Sequence, residues 1–141
     1  MKYDILIVED EDDIRAMIGG ILEDDGYEVR LTATSAEAIN SLKSRKPSLM
    51  ILDVWLKGST MDGIELLDSI KKSHPNMPVI IISGHGTVET AVSAIRKGAY
   101  DYIVKPFKAD KLLVTCKRAL ENARLKSENE ELKGKRSHDV A

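Results

Sequence analysis

The feature that most constrains this chain is a set of short, unbroken apolar runs: Ile5-Leu6-Ile7-Val8, Leu49-Met50-Ile51-Leu52 and Val79-Ile80-Ile81-Ile82. A run without polar interruption puts apolar side chains on both faces of a strand, as in a parallel sheet covered by helices on both sides. Tyr102-Ile103-Val104 is a further β-rich run, whereas Tyr27-Glu28-Val29-Arg30-Leu31 alternates and suits a strand nearer the sheet edge. Each run is followed by helical spacing. Ile14, Met17, Ile18, Ile21 and Leu22 recur as on one face of a helix, and Ala38, Ile39 and Leu42 mark a second, with Ser35 its expected N-cap. Ile64, Leu67 and Ile70 mark a third helix that ends near His74-Pro75. Val88, Ala91, Val92 and Ile95 mark a fourth with Gly98 as its C-cap, and Leu112, Leu113, Cys116 and Leu120 a fifth.

Five strand-then-helix units imply right-handed crossovers and a doubly wound α/β fold with a five-stranded parallel sheet. In such folds the site lies in the crevice beyond the carboxyl ends of the strands. Strand one runs into Glu9 and Asp10, strand three into Asp53, strand four into Ser83 and strand five into Lys105. Three acids, a hydroxyl and a lysine therefore converge on one rim.

Carboxylates gathered in this way repel one another unless a proton or cation intervenes. Their hard oxygens select Mg²⁺, Mn²⁺ or Ca²⁺ over thiolate-loving metals. A carboxylate beside Mg²⁺ can attack a phosphoryl group, and that transfer needs positioning and charge stabilisation above all. Lys105 and the Ser83 hydroxyl are suited to the phosphoryl oxygens. Each residue alone has a plainer reading. The run Glu9-Asp10-Glu11-Asp12-Asp13 complements the dipole of the helix it precedes, Ser83 is an ordinary turn residue, and Lys105 is a surface charge before Pro106. The set gains its meaning from falling at the ends of four different strands.

A length of 141 residues suits one compact domain, and a net charge of −2 gives no electrostatic reason to expect this domain to bind nucleic acid. The single cysteine, Cys116, excludes an intrachain disulfide and suits a reducing cytoplasmic setting, and no apolar run approaches the length of a bilayer span. Residues 1–120 read as the domain. Residues 121–141 read as the start of a helical linker, rich in helix formers to Lys133, with a flexible end from Gly134 to Ala141. Leu113 and Leu120, and Leu125 and Leu132, are each seven apart but out of register, so a coiled coil has thin support there. The small cluster Lys133, Lys135 and Arg136 is too short for a nucleic-acid patch.

The set Glu9-Asp10, Asp53, Ser83 and Lys105-Pro106 resembles the receiver domains of two-component response regulators, over Met1 to about Leu120. The stretches Ser83–Ala91 and Ala94–Tyr102 are similar to receivers of the nitrogen-regulation (NtrC and NtrX) type, and Asp53–Gly63 resembles the NtrX group in particular. The resemblance implies the flavodoxin-like, CheY-like receiver fold and an Asp53 that accepts a phosphoryl group from a sensor histidine kinase. It implies Mg²⁺ held by Asp10, Asp53 and the Trp55 backbone carbonyl, with Glu9 acting directly or through water. It implies Ser83 and Tyr102 as a switch pair that remodels the face of helix four, strand five and helix five, and a cis Lys105-Pro106 bond. It also implies a homodimer that tightens on phosphorylation, and a chain leading to an AAA+ ATPase and a DNA-binding domain. Two departures stand out: Glu9 where Asp is commoner, and a loop before Met61-Asp62-Gly63 two residues longer than usual and without proline.

Three other readings compete. The first is a stand-alone receiver with no output domain. The second is a flavodoxin-like flavin module, which would need a Ser/Thr/Gly-rich phosphate loop where Glu9–Asp13 stands. The third is a Mg²⁺-dependent phosphohydrolase, which would place its nucleophile after strand one. Among smaller features, Cys116 reads as core, His74 as a solvated residue and His85 as a loop residue able to influence water near the rim. Trp55 reads as a partly buried loop residue.

Overall fold

In the computed structural model, residues 3–56, 62–84 and 88–140 are described, with side chains to Glu128. The order is β1 (Asp4–Val8), α1 (Asp12–Asp24), β2 (Glu28–Thr32), α2 (Ser35–Ser44) and β3 (Leu49–Asp53). There follow α3 (Gly63–Ser73), β4 (Val79–Ser83), α4 (Val88–Arg96), β5 (Asp101–Val104) and α5 (Ala109–Val140). All pairings are parallel, in the order β2-β1-β3-β4-β5. The chain runs outward from β1 to β2, returns, and runs the other way from β3 to β5. The direction reverses between β1 and β3, so their carboxyl ends form the crevice where such sheets carry their sites.

The continuous apolar runs are the central strands because each face has its own helical cover. Leu6, Val8, Met50, Leu52, Val79 and Ile81 pack with Ala38 of α2, Leu66, Leu67 and Ile70 of α3, and Ala94 of α4. Alternate residues of the same strands, including Ile5, Ile7, Ile51 and Ile80, pack with Ile18 and Leu22 of α1 and Leu112 and Cys116 of α5. The alternating β2 is an edge strand, as its pattern predicts.

Several local readings are corrected. The N-cap of α2 is Thr34, whose side chain accepts from the Glu37 N–H while Glu37 reaches back to the Thr34 N–H; Ser35 is the first helical residue and is buried. Met17 is exposed, and Ile18, Gly19 and Leu22 form the covered stripe of α1. On α4 the small Ala94 is buried, while Val88, Val92 and Ile95 point outward. His74 is half-buried at the C-cap of α3 rather than solvated. Gly98, at φ +106°, completes a paired cap in which its N–H donates to the Ile95 carbonyl and the Ala99 N–H to that of Ala94. Helix α5 is continuous through residues 109–140, so helical backbone extends past Gly134; one glycine costs only about 1 kcal/mol relative to alanine and no proline follows. The lengthened loop and His85 lie outside the described residues.

Candidate functional site

Four strand ends deliver the rim residues. Glu9 follows β1, its N–H donating to the Thr32 carbonyl of β2 at 3.0 Å and its own carbonyl accepting from Arg15 Nη1 at 2.8 Å. Asp53 is the last residue of β3, beside Ile82 of β4. Ser83 ends β4 and is fully buried, and its carbonyl accepts from the Lys105 N–H at 2.9 Å, bringing Lys105 to the same rim after β5. The Lys105–Pro106 peptide bond is cis.

Glu9, Asp10 and Asp53 each offer a carboxylate oxygen, and these atoms lie within 4.8 Å of one another. Glu9 and Asp53 are buried and Asp10 is half-buried. Lys105 Nζ donates to Glu9 Oε1 and, at 3.2 Å, to Asp53 Oδ2. The other oxygens are held by backbone: Glu9 Oε2 accepts from the Glu11 N–H at 3.2 Å and Asp53 Oδ1 from the Trp55 N–H at 3.3 Å. Among the described residues three carboxylates thus gather beside one lysine, and the surplus negative charge shows in the titration of Glu9. Burial first, then its hydrogen bond and charge contact with Asp53, push the Glu9 carboxyl up to about 7 against the opposing pull of Lys105. For Lys105, burial acts to lower the pKa, but Glu9 and Asp53 together outweigh it and the net direction is upward. A crowded all-oxygen cluster with too little positive charge fits a hard divalent cation and offers nothing to a soft one.

Tyr102 of β5 is partly buried against the core on the α2–α3–α4 side. Its hydroxyl is buried and finds no hydrogen-bond partner among the described residues. Trp55 has about half its surface open, at 52%, and its N–H donates to Asp53 Oδ1. Gly63 emerges only from the structure. A Cβ there would lie 2.0 Å from the Asp53 carbonyl oxygen, and the Gly63 N–H donates to the Val54 carbonyl at 2.8 Å. The start of α3 is therefore pressed against the backbone that carries Asp53, with Asp62 capping the helix in a reciprocal box with Glu65. The sequence signal was the Asp62-Gly63 pair, an N-cap followed by the one residue without a side chain. Arg15 is likewise visible only in the fold. It spans from the Glu9 carbonyl to Asp12 and ties the first turn of α1 to the acid pair.

This fold and this rim define a receiver module. The chain belongs to the response regulator receiver domain family, whose pattern matches residues 5–117. It is 55% identical over 133 residues to the nitrogen assimilation regulatory protein NtrX of Azorhizobium caulinodans, a match that covers 94% of this chain and 29% of that protein. It is also similar to the crystal structure of the receiver domain of NtrX from Brucella abortus, at 57% identity and a TM-score of 0.82, covering 84% of this chain and 98% of that one. The beryllofluoride-activated NtrC4 receiver domain dimer matches at 40% identity and a TM-score of 0.80, covering 85% of this chain and 98% of that one. The chain is a receiver domain of the NtrX type, and it spans about three-tenths of the length of the curated relatives it matches, 29% of the Azorhizobium protein. The family is one of signalling switches, and among the described residues no helix is long and apolar enough to cross a membrane.

Proposed function

We propose that Asp53 accepts a phosphoryl group from a sensor histidine kinase in the cytoplasm and that the acyl phosphate switches the α4–β5–α5 face. The observation that carries this reading is a single cluster: Asp53 buried beside Glu9 and Asp10, with Lys105 Nζ on its outer oxygen. In the transfer, an Asp53 carboxylate oxygen forms a bond to phosphorus as the bond to the donor's imidazole nitrogen breaks, and that nitrogen leaves with the electron pair. Lys105 is placed to leave Glu9 and follow the charge onto the phosphoryl oxygens, and Ser83 offers its hydroxyl to one of them. Mg²⁺, held by Asp10, Asp53 and the Trp55 carbonyl with Glu9 close by, would neutralise the phosphoryl charge. The chain thereby assists its own phosphorylation and the later hydrolysis, without turning over a separate substrate.

The switch rests on Ser83 and Tyr102. A Ser83 hydroxyl drawn toward the phosphoryl group vacates space at the end of β4 for the Tyr102 phenol, whose buried hydroxyl has no hydrogen-bond partner among the described residues. Residues 1–120 form the switching module, and the rest of α5 is the start of a linker toward an output domain of the ATPase and DNA-binding kind, so that DNA is not contacted by this module. Val92 and Ile95 on α4 and Val104 on β5 give that face exposed apolar side chains, which supports a homodimer that tightens on phosphorylation.

Trapping the acyl phosphate tests the site assignment. After treatment with a small-molecule phosphodonor and Mg²⁺, borohydride reduction should convert Asp53 alone to homoserine, as read by peptide mass spectrometry. Conversion at Asp10 or Asp12 instead would refute it.

A further inference from the structure

The opposite end of the sheet holds a second polar feature that the phosphoacceptor reading does not use. Where α5 leaves the domain, two clefts of about 300 and 430 Å³ flank it and share the floor Asn76-Met77-Pro78 of the α3–β4 turn. Lys71 and Lys126 line the first, Lys46 and Arg124 the second. Among the described residues neither cleft is lined by an acid, although acids outnumber bases in the chain, 23 to 21. Asn122 and Tyr100 in the first and Ser48 and Ser127 in the second add neutral hydrogen-bonding groups.

Helix dipoles do not account for this placement. Only Lys71 lies in the last turn of a helix; Lys46 is in the α2–β3 connection, and Arg124 and Lys126 are in the middle of α5. Lys71 is also pre-positioned. Its Nζ donates to the Met77 carbonyl at 2.8 Å, and its stem crosses Gly98, where a Cβ would meet Lys71 Cε at 3.0 Å. Lys71 and Lys126 line the same cleft, and burial, followed by the nearby Lys126 charge, lowers the pKa of Lys71. Arg124 is shared with Glu128 at 3.0 Å, so the arginine of the second cleft already has an acidic partner, whereas among the described residues Lys71 and Lys126 have none.

From this geometry we infer an oxyanion site at the base of the domain, in the first cleft, centred on Lys71 and Lys126 over the Asn76–Pro78 turn. Its ligand class is a small polyphosphate, whose adjacent phosphoryl groups can meet both ammonium groups of the cleft. Occupancy would brace the α5 stem against the domain at the point where it emerges.

The test is titration of the metal-free 141-residue chain with pyrophosphate, followed by amide NMR and calorimetry, with inorganic phosphate and a nucleoside triphosphate as parallel arms. Saturable shifts at Asn76, Met77, Gly98, Tyr100 and Asn122 are expected, with pyrophosphate binding more tightly than phosphate. A gain for the nucleotide over pyrophosphate would assign the ligand as a nucleotide; equal affinity would assign it as the polyphosphate alone. Lys71→Met, which keeps the stem over Gly98, combined with the exposed Lys126→Gln, is expected to weaken binding at least tenfold. Lys43→Gln, a charge removed outside both clefts, should leave it unchanged. An unchanged affinity in the double variant, equal loss in the Lys43 control, shifts confined to Glu9, Asp53 and Lys105, or no saturation by about 10 mM (weaker than about −3 kcal/mol) would overturn the inference.

Discussion

Lys105 and Gly63 both constrain Asp53, one through its side chain and the other through its backbone. Lys105 keeps two buried carboxylates in register with a single ammonium group. Gly63 lets the first turn of α3 approach the Asp53 carbonyl more closely than any Cβ permits, at 2.0 Å for an ideal Cβ. Gly63→Ala must therefore displace either α3 or the end of β3. It is expected to destabilise the domain by about 1–3 kcal/mol in urea unfolding, with slower phosphorylation of the folded fraction; stability within error of the parent would contradict the close contact. Cys116 gives a prediction about pH. Burial pushes its thiol from 9.0 up to about 12, so from about pH 9 upward the unfolded chain carries a thiolate while the folded chain keeps its proton. The unfolded state then binds fewer protons, and stability falls as pH rises through this window. In Cys116→Ala the fall between pH 9 and 11 should be shallower than in the parent, whatever the offset at pH 7; parallel curves would contradict the assignment.

Among the elements, those buried on both sides were the most legible. Continuous apolar runs can be satisfied only between two layers, so β1, β3 and β4 and their carboxyl-end residues could be read directly. Helical spacing gave the existence of each helix but not which of its stripes is covered. On α4 the branched Val88, Val92 and Ile95 suggested the core face, yet the helix lies close to the sheet through Ala94 and leaves them outside. Composition alone does not distinguish a close approach through small residues from a wider one through large residues. Capping was ambiguous for a similar reason, since Thr34 and Ser35 are both good caps and Glu37 stands three residues from Thr34. Thr34→Ala removes the side-chain bond to the Glu37 N–H and should lower stability by about 1 kcal/mol, while Ser35→Ala should not act through the cap. Equal effects on α2 fraying by hydrogen exchange would argue against the reciprocal box. Gly63 and the Lys105–Glu9 contact escaped the sequence because both depend on distances between elements far apart in the chain.

At the scale of the whole molecule, chemistry sits at one end of the sheet, an apolar face lies along α4 and β5, and α5 leaves from the other end as a helix of 32 residues, about 48 Å long. The proposed switch therefore acts through the α4–β5–α5 face, at the side of the sheet away from β2. Sedimentation with a beryllofluoride mimic of the phosphoryl group should show a shift toward dimer, lost in Val92→Ser combined with Ile95→Ser while monomer stability changes little; a mimic-induced dimer that survives both substitutions would place the interface elsewhere. The central claim, that Asp53 is the phosphoacceptor, has a more direct test. The intact mass of the chain is recorded after incubation with Mg²⁺ and a small-molecule phosphodonor, with Asp53→Asn and a metal-free sample alongside. One phosphoryl increment, dependent on Mg²⁺ and absent from Asp53→Asn, is the predicted result. An increment that persists in Asp53→Asn or without metal would contradict the account.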